Sequence, residues 1–136
     1  MMRILLVEDD LVTAHSIETA IDQQGLLCDA VTNTADALEL LRHNTYSAAV
    51  LDHYLQGETT VFLTSHLRLR HPDTKIITIT GSALFASGYG LERLGCDFLF
   101  RKPFRMRDLV ETVIYLDATT ERMPMPERPQ AEAFSS

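Results

Sequence analysis

The chain has 136 residues, is 46% hydrophobic and carries a net charge of −7, which allows one real core and excludes two domains. An acidic balance of this size excludes a global positive field that would draw the chain to nucleic acid or an anionic membrane. No apolar stretch approaches a membrane span, and the run between Arg3 and Glu8 is too short for a signal peptide, so a cytoplasmic protein is expected. Cys28 and Cys96 lack metal-ligand spacing and read as reduced, mostly buried side chains.

In chain order, Ile4-Leu5-Leu6-Val7 predicts a first strand, and Ala14, Ile17 and Ile21 mark a helix that Gly25 stops. Leu26-Leu27-Cys28 with Ala30-Val31 is a weaker second strand. Ala37, Leu38 and Leu41 mark a second helix with Asn33 or Thr34 as its cap. Ala48-Ala49-Val50-Leu51 predicts the third strand, and a third helix shows its apolar face at Val61, Phe62, Ser65 and Leu69 before Pro72. Ile76-Ile77-Thr78-Ile79 predicts the fourth strand. A fourth helix over 83–94 is poor because Gly88 and Gly90 sit in it. Phe98-Leu99-Phe100 predicts the fifth strand, and Leu109, Val113 and Leu116 mark the last helix. Continuous apolar runs indicate strands covered on both faces, so the economical packing is an open parallel sheet with helices on both sides. Residues 1–117 form this domain, and the Pro-rich residues 118–136 read as a flexible tail, not an output domain.

Ligands of open α/β sheets sit outside the carboxyl ends of the strands. Strand one ends in Glu8-Asp9-Asp10, strand three in Asp52, strand four in Thr80 and strand five in Lys102-Pro103. Taken singly, Asp9 and Asp10 read first as helix caps and first-turn acids, and Lys102 as a solvated charge. Together they describe a task. Crowded carboxylates repel unless a cation joins them, and a hard ion such as Mg²⁺ suits carboxylates, waters and a phosphate. A carboxylate can also act as a nucleophile and form an acyl phosphate. Lys102 and the Thr80 hydroxyl would then stabilise the transferring group.

The strings Val7-Glu8-Asp9-Asp10, Val50-Leu51-Asp52, Ile79-Thr80-Gly81 and Lys102-Pro103-Phe104 resemble the signature of response-regulator receiver domains, in order and with similar separations, over about residues 2–117. The resemblance implies a flavodoxin-like five-stranded sheet in the order 2-1-3-4-5. It implies phosphoryl transfer from a phosphohistidine partner, a histidine kinase or histidine phosphotransfer protein, onto Asp52. It further implies that Asp10 and Asp52 ligate Mg²⁺ directly, with Asp9 acting through water and the Tyr54 backbone carbonyl completing the shell. Thr80 and Gly81 would flank the phosphoryl group with Lys102, the Lys102–Pro103 peptide would be cis, and Leu11, His15 and Phe104 would rim the pocket where the partner docks. Tyr54 and Ser82 stand at positions that tune hydrolysis of the acyl phosphate.

Three departures stand out. The loop after Asp52, His53-Tyr54-Leu55-Gln56-Gly57-Glu58, lacks the family's usual proline. Leu99 replaces the aromatic residue that serves as a rotamer switch, so the signal needs another route. Gly88 and Gly90 suggest that phosphorylation orders the fourth helix. His53 should point away from Asp52, as neighbours on a strand do. The basic set Arg68, Arg70, His71 and Lys75 is expected to complement a helix end, not to bind DNA. The functional expectation is a signalling switch or phosphorelay member, not an enzyme, acting on a downstream protein with homodimerisation left open. The rival readings are an interaction module indifferent to phosphorylation, and a small-molecule enzyme without a recognisable cofactor motif.

Overall fold

The computed structural model describes residues 2–81 and 95–118. In chain order the elements are β1 (Arg3–Val7), α1 (Leu11–Asp22), β2 (Leu27–Val31), α2 (Thr34–His43), β3 (Ala48–Asp52), β4 (Tyr54–Leu55), β5 (Glu58–Thr59), α3 (Val61–Arg70), β6 (Lys75–Thr80), β7 (Phe98–Arg101) and α4 (Met106–Ala118). Five strands form one parallel sheet in the order β2-β1-β3-β6-β7. With the short antiparallel β4–β5 hairpin set aside, this is the expected 2-1-3-4-5 arrangement. The poor helix expected over 83–94, Ser82 and the tail from 119 lie outside the described residues.

Alternation along β1 shows why the strands read as unbroken apolar runs. Leu5 and Val7 enter a core with Ala37 and Leu41 of α2 and Leu63 and Leu67 of α3. Ile4 and Leu6 face the other way, into a core with Ile17 and Ile21 of α1 and Leu109 and Val113 of α4. Each apolar side chain of β1 therefore has an apolar cover, whichever face it points to. Strand β2 lies at the sheet edge with Leu27 half exposed, which accounts for its weaker signal. Cys28 packs on the α1 side and Cys96 on the α2 side of the sheet.

Local signals act where they were read. Asn33 caps α2, its side chain accepting the Asp36 N–H at 2.8 Å. Gly25 takes φ +79° just past α1, a left-handed conformation that suits glycine. The third helix is a correction. Val61, Phe62, Ser65 and Leu69, read as its apolar face, are exposed, and Leu63, Thr64 and Leu67 are buried instead. The helix carries apolar residues around most of its circumference, so spacing alone admits two faces.

Candidate functional site

Because β2 and β3 flank β1 on opposite sides, the chain reverses direction across the sheet between β1 and β3. That switch point is where a crevice opens at the carboxyl edge. Glu8 and Asp9 leave β1 there, Asp52 ends β3, Thr80 ends β6, and Lys102 follows β7. One carboxylate oxygen from each of Glu8, Asp9 and Asp52 lies within 4.8 Å of the others. The Lys102 ammonium stands 3.4 Å from Asp52 Oδ2 and 3.5 Å from Glu8 Oε1. Thr80 is fully buried, its carbonyl accepting the Lys102 N–H at 2.7 Å, and the Lys102–Pro103 peptide is cis. Gly81 is exposed beside it.

The acids of the cluster differ from the set read in the sequence. Asp10 is exposed and caps α1, accepting the Thr13 amide at 3.0 Å and the Thr13 hydroxyl as well. Those two donors hold its carboxyl below the ordinary value. Glu8 takes its place in the cluster. The signal was an aspartate directly before Leu11, the first helical residue, where a side-chain oxygen can accept the amide three residues on. Position 10 is therefore spent on the helix, and the two preceding acids face the crevice.

Glu8 is 1% exposed and accepts the Asp10 N–H at 3.0 Å through Oε2. Its Oε1 is buried without a hydrogen bond among the described residues. Burial, reinforced by Asp52 beside it, pushes the Glu8 carboxyl up to about 7 against the opposing pull of the Asp10 amide and Lys102. Burial alone would lower Lys102, but Asp52 and Glu8 outweigh it and raise the ammonium above its ordinary value. A buried carboxylate oxygen without a hydrogen bond among the described residues, 3.5 Å from Lys102 and facing two more carboxylates, belongs to a hard-oxygen donor set, which fits a small divalent cation such as Mg²⁺.

The loop after Asp52 is a two-residue hairpin. Gln56 and Gly57 have φ of 52° and 86°, the positive pair of a type I′ turn. Its base is moored to the site: the Thr60 hydroxyl donates to the Asp52 carbonyl at 2.9 Å, and the Tyr54 N–H reaches Asp52 Oδ1 at 3.3 Å. Its tip reaches across to β1, where the Gln56 N–H donates to Asp9 Oδ2 at 2.9 Å. The Tyr54 side chain is half exposed, with its ring edge-on to His53. His53 is buried, and burial lowers its imidazole against the pull of Asp52.

On the rim, Leu11 and His15 are exposed and Phe104 is half buried, its ring edge-on to Phe100. Leu99 is fully buried among Leu63, Leu67 and Leu51. Arg68 turns to the Gly95 carbonyl and Asp97, at 2.7 and 3.1 Å. Arg70, His71 and Lys75 line a cleft of about 790 Å³ with Tyr46 and Leu116, at the amino edge of the sheet and away from the acids.

Comparison with known proteins agrees with this geometry. The family model of the response regulator receiver domain matches residues 4–114. The transcriptional regulatory protein TctD of Salmonella typhimurium is 32% identical over 108 residues, 79% of this chain and 48% of that protein. CutR of Streptomyces coelicolor is 30% identical over 129 residues, 92% and 57% of the two chains. The chain thus spans about half the length of the curated relatives it matches. A Francisella response regulator receiver domain superposes with a TM-score of 0.78 at 25% identity, covering 89% of this chain and all of that one. A CheY-like receiver domain from Methanospirillum hungatei, 22% identical with a TM-score of 0.79, covers 88% and 96% and shares the fold. A profile match over most of the length, on the sheet order and acidic crevice just described, makes this chain a member of the response regulator receiver domain family.

Proposed function

We propose that the chain accepts a phosphoryl group on Asp52 from a phosphohistidine partner and thereby switches or relays a signal through protein contact. Receiver domains are phosphorylated on aspartate, bind Mg²⁺ in an acidic pocket and interact with histidine kinases or phosphotransfer proteins. They are signalling modules, not classical enzymes. The observation that carries the reading is the Lys102 ammonium 3.4 Å from Asp52, at the edge where Glu8 and Asp9 also converge. No helix among the described residues is long and apolar enough to cross a membrane, and a cytoplasmic location is part of the proposal.

In the transfer, an Asp52 oxygen bonds to phosphorus as the phosphorus–nitrogen bond breaks, and the electron pair returns to the partner's imidazole. Glu8, Asp9 and Asp52, with the Tyr54 carbonyl, would hold Mg²⁺, which supplies positive charge to the phosphoryl oxygens. Lys102 would share that role, and the Thr80 hydroxyl and Gly81 backbone would receive a phosphoryl oxygen. Leu11, His15 and Phe104 offer an apolar and polar rim for the donor protein, and a downstream protein or a second copy would read the result.

The rival is an interaction module that ignores phosphate, favoured by the fully buried Leu99 at the position of the aromatic switch. Intact-protein mass separates the two. Incubation with Mg²⁺ and a small phosphodonor should add one phosphoryl group, absent from Asp52→Asn. An unmodified wild-type mass with a donor that loads another receiver would refute the proposal.

A further inference from the structure

The three carboxylates of the crevice are not held alike. Glu8 is fixed by the Asp10 amide, and Asp52 by the Tyr54 amide and Lys102. Asp9 is more exposed than either, and the only hydrogen bond to its carboxylate among the described residues comes from the Gln56 N–H. Asp52, and Glu8 when ionised, lie within 4.8 Å and push this side chain toward solvent, and one backbone amide 47 residues away in sequence opposes them. That amide is placed by the turn, and the turn is placed by a rigid base. Leu55 is buried in the core, and Thr60 binds the Asp52 carbonyl through its hydroxyl and the His53 carbonyl through its N–H.

We propose that Gln56 and Gly57 are positioning residues for the cation site: their type I′ turn delivers the Gln56 N–H to Asp9 and keeps that carboxylate facing Glu8 and Asp52. The inference rests on the reading that this cluster takes Mg²⁺. Both residues are exposed, and a Cβ built on Gly57 meets nothing within 4 Å. Substitutions here therefore act through backbone conformation, not through contact with ion or phosphate. Linkage makes the coupling reciprocal: a turn that orders Asp9 for the cation is itself ordered by cation binding.

The opposite signs of two substitutions make the test. Gly57→Ala puts an L side chain at φ +86° and weakens the turn. Gln56→Asn places at φ 52° the residue that best tolerates it, ahead of glycine, and strengthens the turn. Calorimetric titration of the full chain with Mg²⁺ alone should show affinity about threefold lower in the first and up to about twofold higher in the second. Hydrogen exchange should slow at the Gln56 amide of the wild type when Mg²⁺ is added. Wild-type binding with both variants unchanged, or both shifted the same way, overturns the positioning role and leaves the cation site standing. A wild type that binds no Mg²⁺ overturns the site and the inference with it. If Gly57→Ala fails to fold, an unchanged affinity in Gln56→Asn is enough to refute.

Discussion

Glu8 should make the metal-free protein lose stability as pH rises. Its carboxyl is moved from 4.5 to about 7 chiefly by burial. Below pH 4.5 the group is protonated whether the chain is folded or not, and it contributes no pH dependence. Between the two values the unfolded chain releases the proton and the folded chain keeps it, so stability falls with rising pH. Above pH 7 the folded protein carries a buried carboxylate, and the full penalty, about 3 kcal/mol, is in place. Glu8→Gln removes the titrating group and keeps its shape. Urea unfolding of both proteins at pH 5 and pH 8, with a chelator present, gives the comparison. The stability gained by the variant relative to wild type should be larger at pH 8 by about 2–3 kcal/mol. Lys102, 3.5 Å away, keeps its proton at both pH values, and its attraction for the Glu8 carboxylate is already contained in the value of about 7. Equal pH dependence in the two proteins would show that Glu8 ionises as an ordinary carboxyl, and the electrostatic account of the crevice would fail.

Two further outcomes follow from the packing. Leu67→Ala should destabilise by about 2–5 kcal/mol, whereas Leu69→Ala, two residues along the same helix and 79% exposed, should stay within about 0.5 kcal/mol in denaturant unfolding. Similar losses in both would contradict the burial pattern of α3. Tyr46 donates to Asp29 Oδ2 at 2.6 Å, and Arg3 binds the same oxygen at 2.9 Å, closing the amino edge of the sheet. Tyr46→Phe should cost about 1–2 kcal/mol in the same assay and leave phosphoryl uptake on Asp52 untouched, and a lost uptake would mean that the two edges are coupled.

The strand runs were legible because burial on both faces leaves short, unbroken apolar runs, and their length and the turn residues beside them separate them from buried helix. Asp52, Thr80 and Lys102 were legible for a related reason: each directly ends or follows such a run, so finding the run finds the residue. The junction after β1 was less so. Three successive acids, Glu8, Asp9 and Asp10, sit there, and spacing cannot say where strand backbone gives way to helix cap. The Asp10–Thr13 cap decides it. The hairpin was invisible for a different reason, since two-residue strands are below any periodicity and its anchor is an amide on Asp9.

From composition and order alone came the parallel sheet, its flanking helices and the chemical types gathered at one edge, because hydrophobic runs and strand ends are local properties of the chain. Tertiary structure decided which of three adjacent acids turns into the crevice, which side of α3 meets the sheet, and how the loop after Asp52 reaches back to β1. Those choices depend on contacts between segments up to 47 residues apart, whose free energies no local pattern records.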